Sequence, residues 1–88
     1  SVNAQEAYEY LLKVIVEILE IVRQEYPPYG LPQLNSQHAF HAYQYALKLF
    51  DTEAAKKYIN MAYKNSLICY GEKHPETQAM FELLKQSF

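Results

Sequence analysis

Eighty-eight residues carrying 8 basic and 10 acidic side chains, a net charge of −2 and a 50% hydrophobic composition describe one small domain at most. That charge balance provides no electrostatic footprint for nucleic acid or for an acidic membrane surface. The single cysteine, Cys69, excludes an internal disulfide, and no apolar run approaches the roughly 18 residues of a membrane span, so an intracellular protein, cytoplasmic or nuclear, is expected.

The chain opens Ser-Val-Asn-Ala without an initiating Met, and its first helical segment is apolar around much of its circumference. Both features read as those of a piece of a larger protein. Nine tyrosines and no tryptophan imply a core of bulky rings whose polar tips need a partner or a wet edge.

Residues 3–26 form the first predicted helix. Ala4, Tyr8, Leu11, Leu12, Ile15, Ile18, Leu19, Val22 and Tyr26 recur at the three-and-four spacing of a buried stripe, with Asn3 as the expected N-cap. Tyr10, Val14, Val16 and Ile21 widen the apolar surface beyond that stripe, leaving Glu6, Glu9, Lys13, Glu17, Glu20 and Gln24 as a polar strip. The Tyr-Pro-Pro-Tyr-Gly-Leu-Pro run at 26–32 must break the helix, because consecutive prolines remove donors and exclude helical angles from their predecessors.

The second helix, about 33–50, is predicted to bury Ala39, Ala42, Tyr43, Ala46, Leu47 and Phe50, with Phe40 and Leu49 on its flanks. Alanines along that face let another helix come close. Asp51-Thr52-Glu53 reads as a tight turn in which Asp51 or Thr52 caps a third helix over 52–70, whose inner residues are Ala55, Ile59, Ala62, Tyr63 and Leu67, with Tyr58 and Met61 beside them. Gly71 can take the left-handed conformation that closes a helix, and Pro75 with Glu76 suits the first turn of a fourth helix over 75–87. That helix carries Ala79, Met80, Leu83, Leu84 and Phe88. No segment alternates with a period of two, so the fold class is all-α, of about four helices.

Little in this pattern assembles catalytic chemistry. His38 and His41 lie three apart on the second helix and could share a metal only if a third ligand converged from elsewhere; there is no HExxH pattern and no second cysteine. Cys69 sits near a helix C-terminus, where the dipole disfavours a thiolate. The glutamates of the first helix fall along one solvated strip rather than facing each other across a cleft. Gly30 and Gly71 belong to no phosphate-cradling loop, and no cofactor is expected. What remains is interaction chemistry. Lys57, Asn60 and Lys64, at three-and-four spacing, are candidates for gripping an acidic peptide, and His38, His41 and Tyr45 for meeting an extended partner segment. The expected partner is therefore a protein or peptide. A small metalloenzyme using His38, His41 and a carboxylate is the alternative from another class.

The turn Tyr70-Gly71-Glu72-Lys73-His74-Pro75 resembles that between successive units of tetratricopeptide-type arrays. The segment from Ala42 to Pro75 is similar to one such unit: Ala42 and Tyr45 in its first helix, Glu53 and Ala54 or Ala55 after the turn, Tyr58 or Ile59, then Ala62 and Pro75. The order of long helix, Tyr-Pro loop, helix, Glu-Ala helix and Tyr-Gly-x-x-His-Pro turn is most similar to the C-terminal helical domain of SET-and-MYND (SMYD) lysine methyltransferases, with kinesin-light-chain repeats next. The resemblance implies antiparallel helical hairpins of α-solenoid type and a scaffolding role. In the SMYD case that role is shaping substrate access to a neighbouring methyltransferase domain; in the kinesin-light-chain case it is cargo binding. None of the SMYD family's methyl-donor or zinc motifs occurs in these residues. The paired Lys and Asn of a chaperone-tail clamp are also missing, since the second helix offers only Asn35 and Lys48 around its groove. The isolated chain is expected to self-associate through the uncovered face of its first helix, by way of Tyr10, Val14, Val16 and Ile21.

Overall fold

The computed structural model describes residues 2–26 and 31–87. Four helices follow one another, α1 (Val2–Glu25), α2 (Pro32–Lys48), α3 (Thr52–Tyr70) and α4 (Pro75–Ser87), and among the described residues there is no strand. The all-α class read from the periodicity is therefore what forms. Each helix backbone lies against its neighbours in the chain and no others, α1 on α2, α2 on α3 and α3 on α4, with the α2–α3 contact the most extensive. The result is a slab of 40 × 32 × 17 Å. The Pro27-Pro28-Tyr29-Gly30 break and Phe88 lie outside the described residues.

The α2–α3 pair is close because its crossing is lined with small side chains. Ala39, Ala42 and Ala46 of α2 and Ala55 and Ala62 of α3 are all fully buried, and the large Ile59 fills the space between them. Tyr43 and Tyr58 belong to the same core, which Ile15 and Leu19 join from α1 and Met80 from α4. A buried polar chain runs through the same region. The Ser36 and Ser66 hydroxyls lie 2.7 Å apart, and the Thr77 hydroxyl donates to the Ser66 carbonyl at 3.2 Å, linking α2, α3 and α4. Each of these hydroxyls is small enough for a tight crossing and is satisfied within it.

The turns have identifiable chemistry. Asp51 caps α3 as expected, its Oδ1 accepting from the Ala54 N–H at 3.1 Å. α2 ends at Lys48 rather than Phe50. The Phe50 N–H donates to the Leu47 carbonyl at 3.1 Å and the Asp51 N–H to the Ala46 carbonyl at 2.9 Å, the paired bonds of a Schellman motif. Phe50 occupies the position usually given to glycine, with φ +57°, and its ring is 91% exposed. The expectation that Leu47 and Phe50 line the buried face is thus corrected: the helix closes before Phe50, and Leu47 turns outward with it.

Gly71 stops α3 by a different geometry from the one expected. Its φ is +87° but its ψ is 169°, an extended mirror-image conformation rather than the left-handed helical one. The chain then turns at Glu72-Lys73, the His74 N–H donating to the Gly71 carbonyl at 3.4 Å, before Pro75 opens α4. His74 supplies the start of α4, its Nδ1 accepting from the Glu76 N–H at 3.0 Å while its ring stacks on Tyr70 at 4.4 Å. This bond requires the tautomer with its proton on Nε2.

Several assignments along α1, at Tyr26 just beyond it, and on α4 also change. Asn3 lies inside α1 rather than capping it, because the helix is already formed at Val2. Ala4, Leu11 and Tyr26 are exposed rather than part of the buried stripe, while Val16 packs against the core instead of standing outside it. The α1 backbone lies against α2 alone among the described helices, and the buried stripe is narrow, centred on Ile15, Leu19 and Val22. On α4, Ala79 is exposed and Thr77 takes the buried position one turn from Met80.

Candidate functional site

α1 and α3 both pack on α2 without their backbones touching, which leaves a cleft between them of about 320 Å³. Val16 and Leu19 of α1 and Tyr58 and Met61 of α3 form its apolar walls, with the buried Asn35 of α2 at its base. Residues 57, 61, 65 and 68 of α3 recur at helical spacing along one side, so Lys57, Met61, Asn65 and Ile68 face the opening in a row. Asn65 is anchored by its Nδ2 donating to the Met61 carbonyl at 2.9 Å. Ile68 remains 57% exposed at one end of this row.

The rim is charged. Glu20 and Arg23 pair across one turn of α1, the guanidinium Nη2 donating to Oε1 at 2.5 Å and Nε to Oε2 at 3.1 Å, with Gln24 adding a third donor. The Arg23 hydrogen bond holds the Glu20 carboxyl below its usual range, and Glu20 raises Arg23 in return. Both side chains stand in solvent, so the pair contributes little to stability. Lys57 lies across from them with its Nζ 5.4 Å from the centre of the Tyr58 ring. Apolar walls of this kind under one acidic and two basic groups can take up an apolar side chain and orient a charged neighbour.

The residues singled out from the sequence fall into two places. Lys57 lines the cleft, Lys64 is exposed and Asn60 half-buried on the same helix. His38, His41 and Tyr45 gather on α2, where Tyr45 is built into the α1–α2 contact: its ring packs on Tyr8 at 6.1 Å and on His41 at 6.5 Å. The His38 Nδ1 is buried with no hydrogen-bond partner among the described residues, and burial, assisted by His41, lowers the imidazole's affinity for a proton. Among the described residues no group of three or more His, Cys, Asp or Glu side chains is placed to hold a metal ion. Cys69 is half-buried beside a shallow apolar depression lined by Leu31, Pro32 and Leu34. Burial and the neighbouring Cys69 raise the Tyr70 hydroxyl's pKa.

Sequence reasoning did not bring Val16, Glu20, Arg23, Met61, Asn65 and Ile68 to one site. Their spacing within each helix was legible, but that α1 and α3 face each other across α2 was not. No described helix is long and apolar enough to cross a membrane. Comparison with protein-family models, with curated proteins and with solved structures returned no match to this chain.

Proposed function

We propose that the chain is a protein-interaction module of tetratricopeptide-like antiparallel hairpins, and that the α1–α3 cleft receives an apolar side chain from a partner segment. The observation that carries this reading is the open cleft, apolar at its walls and charged at its rim, with the large side chain of Ile68 left bare at its edge. Lys57 meets a carboxylate next to the anchoring residue, and Asn65 and Asn35 supply amide groups for polar contacts. Sequential packing, in which each helix backbone lies only against those of its chain neighbours, supports a solenoid-type arrangement.

On this reading the module scaffolds or positions other proteins inside the cell, with no chemistry of its own. Its assignment as the C-terminal helical part of a SMYD-type methyltransferase, or as a cargo-binding repeat of kinesin-light-chain type, rests on the Tyr70–Pro75 turn and the residue pattern around Ala42–Ala62. Selection from a random-peptide library, followed by titration calorimetry, tests the proposal. Selected peptides are expected to share an apolar anchor beside an acidic residue, to bind in the micromolar range, and to weaken about tenfold, roughly 1.4 kcal/mol, with Lys57→Glu or Ile68→Lys. Peptides that bind both variants as well as the parent would place the binding surface elsewhere.

A further inference from the structure

The side of α1 turned away from the cleft carries a second apolar pattern with a different period. Ala4, Ala7, Leu11, Val14, Ile18 and Ile21 are spaced three, four, three, four and three apart, the a and d positions of a heptad repeat. All six are exposed or half-buried, Ile21 at 58%. One flank of this seam, Tyr8, Ile15 and Val22 at intervals of seven, is occupied by α2: Ile15 and Val22 are buried and Tyr8 packs on Tyr45. The other flank, Asn3, Tyr10, Glu17 and Gln24, also at intervals of seven, is exposed, with Tyr10 67% bare.

We infer that this seam pairs with the same seam of a second copy of the chain, antiparallel, about a two-fold axis beside Leu11 and Val14. The argument for this occupant is the distribution of side-chain size. Small residues stand at the amino-terminal end (Ala4, Ala7) and large ones at the carboxyl-terminal end (Ile18, Ile21). An antiparallel pair sets Ala4 against Ile21 of the second copy, Ala7 against its Ile18, and Leu11 against its Val14, so that outer layers match small to large and the helices keep one separation. A parallel pair would stack alanine on alanine at one end and isoleucine on isoleucine at the other. The polar flank agrees: antiparallel pairing places Tyr10 opposite Glu17 of the second copy and Asn3 opposite its Gln24, each a hydrogen-bonding combination, and opposes the two helix dipoles. This pairing is independent of the cleft, which lies on another face of α1. It retains Val14, Tyr10 and Ile21 from the expected self-association surface, replaces Val16 with Leu11 and Ile18, and fixes the direction.

From Ala4 to Ile21 the seam runs about 26 Å at 1.5 Å per residue. A contact of this length is at the small end of specific interfaces, and a dissociation constant in the micromolar range is the value to test. Sedimentation velocity of the full chain is expected to show dimer at tens of micromolar, and Ile21→Lys to weaken it at least tenfold with helicity by circular dichroism unchanged. Direction is read by cross-linking in a Cys69→Ser background. Equal mixtures of the Ala4→Cys and Ile21→Cys chains should form a disulfide-linked dimer on mild oxidation, and either chain alone should not. A folded monomer at millimolar concentration would overturn self-pairing, and cross-linking of the Ala4→Cys chain by itself as readily as the mixture would overturn the antiparallel arrangement.

Discussion

Replacing Gly71 by alanine isolates one backbone conformation from every other interaction at the α3–α4 turn. At φ +87° and ψ 169° Gly71 occupies a region essentially closed to L-residues with a side chain, where strain amounts to about 1–3 kcal/mol. A Cβ built on Gly71 meets nothing within 4 Å, so no tertiary clash adds to that figure. Alanine also restricts the unfolded chain, which returns about 0.4–1 kcal/mol. The net loss is therefore roughly 1–2 kcal/mol. For a domain of this size each kcal/mol lowers the thermal midpoint by about 4–8 °C. Circular dichroism melts of Gly71→Ala should show a midpoint about 5–15 °C below the parent, and Gly71→Val at least as large a drop. A D-alanine introduced at the same position by peptide ligation should recover most of the loss, since a D-residue favours positive φ. An L-alanine variant that melts with the parent would mean that the turn relaxes without strain and that Gly71 is not what separates the two helices.

The other positive-φ position gives the opposite sign. Phe50→Gly removes about 1–2 kcal/mol of left-handed strain from a ring that is 91% exposed, against about 0.5–1 kcal/mol of added backbone entropy, so a gain of roughly 0.5 kcal/mol is expected in urea titrations; equal stabilisation by Phe50→Ala would assign the effect to the exposed ring instead of the backbone. Thr77→Val preserves shape but deletes the hydrogen bond to the Ser66 carbonyl, and should destabilise by about 1 kcal/mol; an unchanged urea midpoint would show that the buried polar chain has no net worth. The His38 pKa is lowered from 6.5 by burial and by His41, so between its folded and unfolded values the unfolded chain binds more protons. Its contribution is therefore fully present above about pH 6.5 and is lost as pH falls through the lower folded value. The thermal midpoint should drop more steeply from pH 7 to pH 5 in the parent than in His38→Gln, and equal slopes would contradict the assignment.

Much of the fold was legible because it is local. The three-and-four spacing from Leu12 to Val22, the alanines of α2 and α3, the Asp51 cap and the Gly71 and Pro75 punctuation each act within a turn or two of helix, and each sits in the element expected of it. Local chemistry was less reliable where two rules competed. Phe50 continues the apolar spacing of α2, yet the Schellman bonds close that helix before it, and exposure of its ring follows from the turn.

The faces of α1 were decided only by tertiary packing. Leu11, Ile18 and Val16 are equally apolar and equally helical, and nothing in their spacing says which side α2 will cover. Because α1 has one helical neighbour, it buries a single stripe and leaves two apolar flanks, one opening into the α1–α3 cleft and one forming the heptad seam. The Ser36–Ser66–Thr77 chain was hidden for the same reason, since serine reads as a surface residue until a close helix crossing gives its hydroxyl a buried partner. Periodicity within one helix thus determined which residues could be buried, and contact between helices distant in sequence decided which of them are.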